Sequence, residues 1–146
     1  MASEAGDIVN PVFSNIVTNG VEGSQNIAKG NVVAMDATDG RAQVAASTDN
    51  RSTGFGVARE AADNSSGSDG DIAVTMAIAP SEVYVIADGA IQPFNFVKVA
   101  STAGQVVALT TATEVETKLV GQYLGHEGEK KPTAAADGDV IKVRLI

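Results

Sequence analysis

The sequence predicts an all-β protein, a small β-barrel or sandwich built from two similar units of roughly 65 residues behind an extended N-terminal arm. Three observations carry this. Valine and isoleucine number 28 against four leucines, and β-branched side chains, stiff at χ1, suit a pleated surface better than a helix. Fifteen glycines supply turns at short intervals. The order of apolar runs and turns in the first half of the chain returns in the second.

Residues 1–26 read as the arm: "VNPVFSNIVTNGVEGSQN" mixes apolar residues with Asn, Gly and Ser and keeps no period. Pro11 bars a central strand position, which leaves one edge strand near Phe13–Val17. The β-domain spans 27–146, with pseudo-repeats 27–82 and 83–146. "IAKGNVVAMDATDGRAQVAA" reads as a strand, a turn at Asp36–Gly40 and a strand at Arg41–Ala45, because Asp-Gly allows the positive φ a hairpin needs. "TGFGVAREAA" is a short strand. In "IAVTMAIA", Ile72, Val74, Met76 and Ile78 alternate with Ala73, Thr75 and Ala77 until Pro80 ends the run. "EVYVIADGAI" is the next strand and turn. Phe94 and Phe96 share one strand face by period two and are expected to fill a core. "EVETKLV", Glu114–Val120, suits one helical turn, and "SEAGD" at the start suits another.

"IQPFNFVKVASTAGQVVAL" then repeats the pattern of "IAKGNVVAMDATDGRAQVA" at an offset of 64, pairing Ile27 with Ile91, Asn31 with Asn95, Val33 with Val97 and Gly40 with Gly104. Gly54 falls opposite Gly121 at an offset of 67, and Asp69 opposite Asp137 at 68. Loop insertions explain the drift. Two copies are too few for a solenoid, and closure or face-to-face packing would remove exposed edges.

A chain of 146 residues suits one domain or two small intertwined halves. It buries roughly 70% of its unfolded surface, enough to fold without metal or disulfide. There is no cysteine, hence no disulfide, thiolate nucleophile or cysteine-ligated zinc. The net charge of −8, with scattered basic residues, argues against direct nucleic-acid binding. No apolar run approaches the roughly 18 residues of a membrane span, and "MASEAGDIVN" lacks the regions of a signal peptide. A core of valine and 23 alanines is thin, so association would add stability by mass action.

The motifs read as structure rather than chemistry. Asp69 and Asp71, or Asp137 and Asp139, are hard oxygen ligands, but each loop offers two carboxylates and then turns apolar, where a calcium loop supplies more. The Asp-Gly-Asp loops are therefore expected to be turns, with no metal site and no cofactor. His126, the only histidine, lies in the polar loop "GHEGEKKP" beside Glu127 and Glu129 and reads as a surface residue rather than a catalytic base. No nucleophile elbow, phosphate loop or zincin motif is present, so no catalytic residue is assigned. Phe13 stands isolated beside Val12, Ile16 and Val17, and either packs on its own domain or on a neighbouring subunit. Pro11, Val12, Phe13, Ile16 and Val17 are the candidate partner contacts, on their apolar character alone.

The second half resembles small structural proteins of tailed viruses of bacteria and archaea. The resemblance runs through Gly89-Ala90, Asn95–Val97, Gly104, Val120-Gly121, Ala134–Ala136 and Gly138–Val143, covers 83–146 and more loosely 27–79, and departs at Phe94, where the pattern prefers Gly. It implies a capsid decoration or cement protein: a virion structural protein, made in the host cytoplasm, that sits on the capsid exterior, commonly as a homotrimer. Such a protein bridges major capsid protein subunits and touches neither nucleic acid nor membrane. The alternative is another virion or cell-surface component, such as a head-fibre base, tail protein or surface-layer module. A carbohydrate-binding or enzyme domain ranks lower, because there is no Trp, only two Tyr and no convergent polar constellation.

Overall fold

The structure, a computed structural model, describes residues 2–9 and 14–146. Its strands are β1 (Asn15–Gly20), β2 (Asn26–Ile27), β3 (Val32–Met35), β4 (Ala42–Val44), β5 (Phe55–Ala58), β6 (Ala62–Asp63), β7 (Ala73–Ile78), β8 (Glu82–Ile86), β9 (Phe96–Val99), β10 (Val106–Ala108), β11 (Leu119–Gly125) and β12 (Val140–Leu145). One helical turn, α1 (Glu114–Lys118), precedes β11. The expected helical turn at 114–120 stops at Lys118, and Leu119 already pairs with Lys98. "SEAGD" holds a turn, in which the Asp7 carboxylate accepts the Glu4 N–H.

Two open, antiparallel, five-stranded sheets pack as a sandwich, in the orders β1-β7-β5-β3-β4 and β8-β12-β11-β9-β10, beside a small β2–β6 pair. The orders correspond strand for strand. In the first sheet one row runs Asn15–Ile78–Gly56–Val33–Val44. In the second it runs Leu145–Gly121–Val97–Ala108, closed by Ser81, whose carbonyl takes the Leu145 N–H. The smaller bridges match too: Val21 to Ala42 and Ala87 to Val106 are parallel, Ile27 to Ala62 and Ile91 to Ala135 antiparallel. This register pairs Gly121 with Gly56. The match of Gly121 with Gly54 drawn from the sequence does not hold, because Gly54 precedes β5 at φ +89°.

Both ladder glycines stand where the neighbouring strand leaves no room. A Cβ at Gly56 would lie 2.9 Å from the Ala77 carbonyl oxygen and 3.0 Å from the Met76 sulfur. At Gly121 it would strike the Arg144 carbonyl oxygen and lie 2.7 Å from Val143 Cγ1.

The main core lies between the sheets: Val32, Ala34, Val57 and Ala77 of the first face Val83, Val85, Val97, Val99, Tyr123 and Val143 of the second. The other face of the first sheet is also covered. Val33, Ala58, Val74 and Met76 pack with Val21, Ile27 and Ala62 from the segment around β2 and β6. Burial on both faces explains the unbroken apolar run of β3. The second sheet buries its inner face and, on its outer face, Tyr84 and Leu119, at 6% and 4% exposed. With Val97 and Val99 turned inward, Phe96 and Lys98 face out, so Phe94 and Phe96 are not core residues, at 56% and 40% exposed.

The described residues of the N-terminal segment lie against the body. Gly6 donates to the Tyr84 carbonyl (2.7 Å), Tyr84 to that of Asp7 (3.0 Å) and Val9 to that of Glu82 (3.0 Å), so residues 6–9 run along β8. Lys29 Nζ holds Asp7 at 2.8 Å and Glu4 at 3.3 Å. Further on, β1 forms an edge of the first sheet.

Gly121→Ala is expected to cost about 1–3 kcal/mol, as overpacking does, read as a lower midpoint in urea unfolding. Gly40→Ala, with φ +72° and nothing within 4 Å of its Cβ, pays only left-handed backbone strain and should cost about 1–2 kcal/mol.

Candidate protein-interaction site

Of the candidate contacts, Pro11, Val12 and Phe13 lie outside the described residues. Ile16 and Val17 lie on β1, opposite Ala77 and Met76, and are 40% and 37% exposed. Strand β1 carries no charge, and Asn15 through Thr18 are all exposed. Its ends are tied down: the Asn15 N–H donates to Ser81 Oγ (2.9 Å), and Asn19 Nδ2 to the Gly40 carbonyl (2.8 Å).

A second apolar surface escaped the sequence reading. Phe94 takes a left-handed conformation, φ +65°, just before β9. At the offset of 64 its counterpart is Gly30, at φ +87°. A side chain in that region costs about 1–2 kcal/mol, and here it is a phenyl ring held in solvent. The signal was present as a departure from the pattern's glycine. Beside it Phe96, Asn95, Leu109, Thr110, Thr111 and Val115 line a groove of about 350 Å³. The charges at its rim cancel. Glu114 bonds Lys98 Nζ (2.5 Å) and takes the N–H groups of Thr110 (3.0 Å) and Thr111 (3.1 Å). The lysine first, then Thr110, hold its carboxyl down at about 2.

His126 is half-buried rather than a free surface residue. Its Nδ1 meets Glu129 Oε1 and its Nε2 meets Asp139 Oδ2, each at 2.8 Å, so an imidazolium satisfies both. Burial pushes the imidazole pKa down, but the hydrogen bonds to Asp139 and Glu129 outweigh it and hold the pKa above its ordinary value. The Thr133 hydroxyl and the His126 N–H hold Glu129 at about 2; the Ala136 N–H, then His126, hold Asp139 low. Burial raises Tyr123 to about 12, and its hydroxyl donates to the Thr133 carbonyl at 2.6 Å. With both ring nitrogens engaged by carboxylates, the ring offers no free lone pair for proton transfer. It clamps the loop between β11 and β12.

The Asp-Gly-Asp loops are built as turns. Asp71 accepts the Ser68 N–H and Asp139 the Ala136 N–H, each at 2.9 Å. Asp69 accepts the Gly23 N–H at 2.9 Å. Asp69 also joins Glu22 and Asp39, their oxygens within 4.8 Å of one another. Arg41 answers part of that charge, at 2.6 Å from Asp39. Burial first, then Asp39 and Asp69, raise the Glu22 pKa.

No family model and no curated protein matches the sequence. Among solved structures the chain is similar to the N-terminal base of head fiber gp8.5 of bacteriophage phi29, with a TM-score of 0.58 and 15% identity, covering 90% of this chain and 95% of that one. At that identity the likeness shows a shared fold.

Two outcomes are expected. The His126 clamp contributes stability that is fully present below the ordinary histidine value of 6.5 and is lost as pH rises through the elevated folded value. Glu129 and Asp139 contribute above their ordinary values of 4.5 and 3.8, and lose it as pH falls through their depressed ones. The melting temperature should therefore fall from mildly acidic to mildly alkaline buffer, and His126→Gln should flatten that slope. Phe94→Gly should leave stability unchanged or raise it by about 1 kcal/mol, since it relieves a left-handed side chain; a comparable loss would mean that the ring packs on the domain.

Proposed function

We propose that this chain is a structural protein of a viral head, carried on the outside of the capsid, whose work is to hold on to other proteins. The observation that carries the reading is the shared fold with a head-fibre base over nearly the whole of both chains. The sequence resemblance to head proteins of tailed viruses supports it independently. So do the uncharged groove at Phe96, the exposed Phe94 beside it and the exposed pair Ile16 and Val17, on a chain whose charge of −8 suits a surface turned away from packaged DNA.

In the finer version the protein is a cement that bridges major capsid protein subunits, with the segment through Pro11, Val12, Phe13, Ile16 and Val17 touching neighbouring subunits. Many weak contacts repeated over a lattice then hold by avidity. The second version, a base that carries a head fibre, is favoured by the neighbour's own part in its virion. Both are made in the host cytoplasm and end on the virion.

Co-sedimentation with purified heads tests the proposal. The protein should pellet with mature heads at a fixed number of copies, and Phe96→Lys should reduce that number several-fold while leaving the melting temperature nearly unchanged. No pelleting at saturating protein, with any head form of the parent virus, sinks the assignment.

A further inference from the structure

Of the four edges of the two five-stranded sheets, three are covered by this chain's own irregular segments. Residues 6–9 run along β8. Residues 21–25 cover β4, through the Val21–Ala42 bridge, the Glu22 N–H on the Ala42 carbonyl (2.9 Å) and the Val44 N–H on Gln25 Oε1 (3.0 Å). Residues 87 and 88 cover β10, through the Ala87–Val106 bridge and the Asp88 N–H on the Val106 carbonyl (2.8 Å). Strand β1 is the edge that no described segment runs along. Its counterpart in the second sheet, β8, has residues 6–9 laid along it.

Bare edges template pairing unless charge, proline or a bulge blunts them. The described part of this one has none of the three: "NIVTNG" holds β-branched Ile16, Val17 and Thr18 in unbroken register with β7. Val21 donates to the Ile72 carbonyl (3.0 Å), which fixes the alternation. Asn15, Val17 and Asn19 then point their backbone groups at β7, and Ile16 and Thr18 point theirs outward.

We propose that β1 is a self-pairing strand: two copies of this chain join β1 to β1, antiparallel about Val17, fusing their five-stranded sheets into one of ten strands. The occupant is a second copy because the register is self-complementary. Each Ile16 meets the partner copy's Thr18, and their outward N–H and C=O groups exchange hydrogen bonds. Val17 meets its own counterpart in the non-hydrogen-bonded position, where side chains approach closest. Charge agrees. The acidic group Glu22, Asp39 and Asp69 lies beyond the Gly20 end of β1. Antiparallel pairing sets the Gly20 ends of the two copies at opposite ends of the seam, so the two acidic clusters do not face one another. Head-to-tail addition finds no second bare edge on the two five-stranded sheets among the described residues, so extension of those sheets closes at two copies. The pairing does not depend on the viral reading and is measured in solution without heads.

The test uses the full chain. Its mass in solution should double from monomer to dimer as concentration rises. The double variant Ile16→Lys with Thr18→Lys should remain monomeric with an unchanged circular dichroism spectrum. Because the chain has no cysteine, Val17→Cys reports the register: mild oxidation should give a disulfide-linked dimer, since non-hydrogen-bonded antiparallel partners lie within disulfide reach. Ile16→Cys, offset diagonally from its own copy, should cross-link far less. A wild type that stays monomeric at all concentrations, an oligomer that the lysine pair leaves intact, or equal cross-linking at positions 16 and 17 would overturn the proposal.

Discussion

Backbone hydrogen bonds at sheet edges organise this molecule. A sandwich of two open sheets has four edges, and each is a row of unpaired N–H and C=O groups. The segments that look least structured answer that demand. Residues 6–9, 21–25 and 87–88 each run beside an outer strand. The N-terminal segment does more than cap β8: Lys29 binds Asp7 and Glu4, and Glu127 accepts the Ser3 N–H at 2.7 Å. One short stretch of chain thus ties both sheets and the loop after β11 together.

Charge and apolar surface are kept apart. The acidic residues are absorbed locally, as turn caps at Asp71 and Asp139, as partners of Arg41 and Lys98, or as the two arms around His126. Among the described residues, strand β1 and the groove beside Phe96 are exposed and uncharged. A surface of this kind meets other proteins without first having to desolvate ions. The left-handed Phe94 places backbone strain at a ring that lies in solvent, at 56% exposed.

Much of the fold was legible because its signals are local. The Asp-Gly turn at 39–40 and the alternation from Ile72 to Ile78 announce themselves within a few residues. What escaped depends on contacts distant in sequence. Nothing local distinguishes Phe96 from Val97 as the outward residue; the first sheet, packing on Val97 and Val99, decides it. Gly54 and Gly56 are equally plausible partners of Gly121 until the register excludes one. His126 reads as a loose surface residue because Asp139, thirteen positions away, reaches it only when β12 folds back beside β11. The two-residue strand β6 was missed for lack of length. Among the candidate contacts, Ile16 and Val17 were found by apolar character alone, and their place on an uncovered edge is a fact of topology.

The correspondence between the sheets leaves one wall free to change. Val32, Val57 and Ala77 are pressed against the second sheet, whereas their counterparts Phe96, Gln122 and Arg144 face outward. The inner wall is locked by its neighbour and tolerates only small apolar residues. The outer wall inherits the same flat geometry without that confinement. Relatives of this protein should therefore diverge fastest across the second wall, whose residues no opposing sheet constrains.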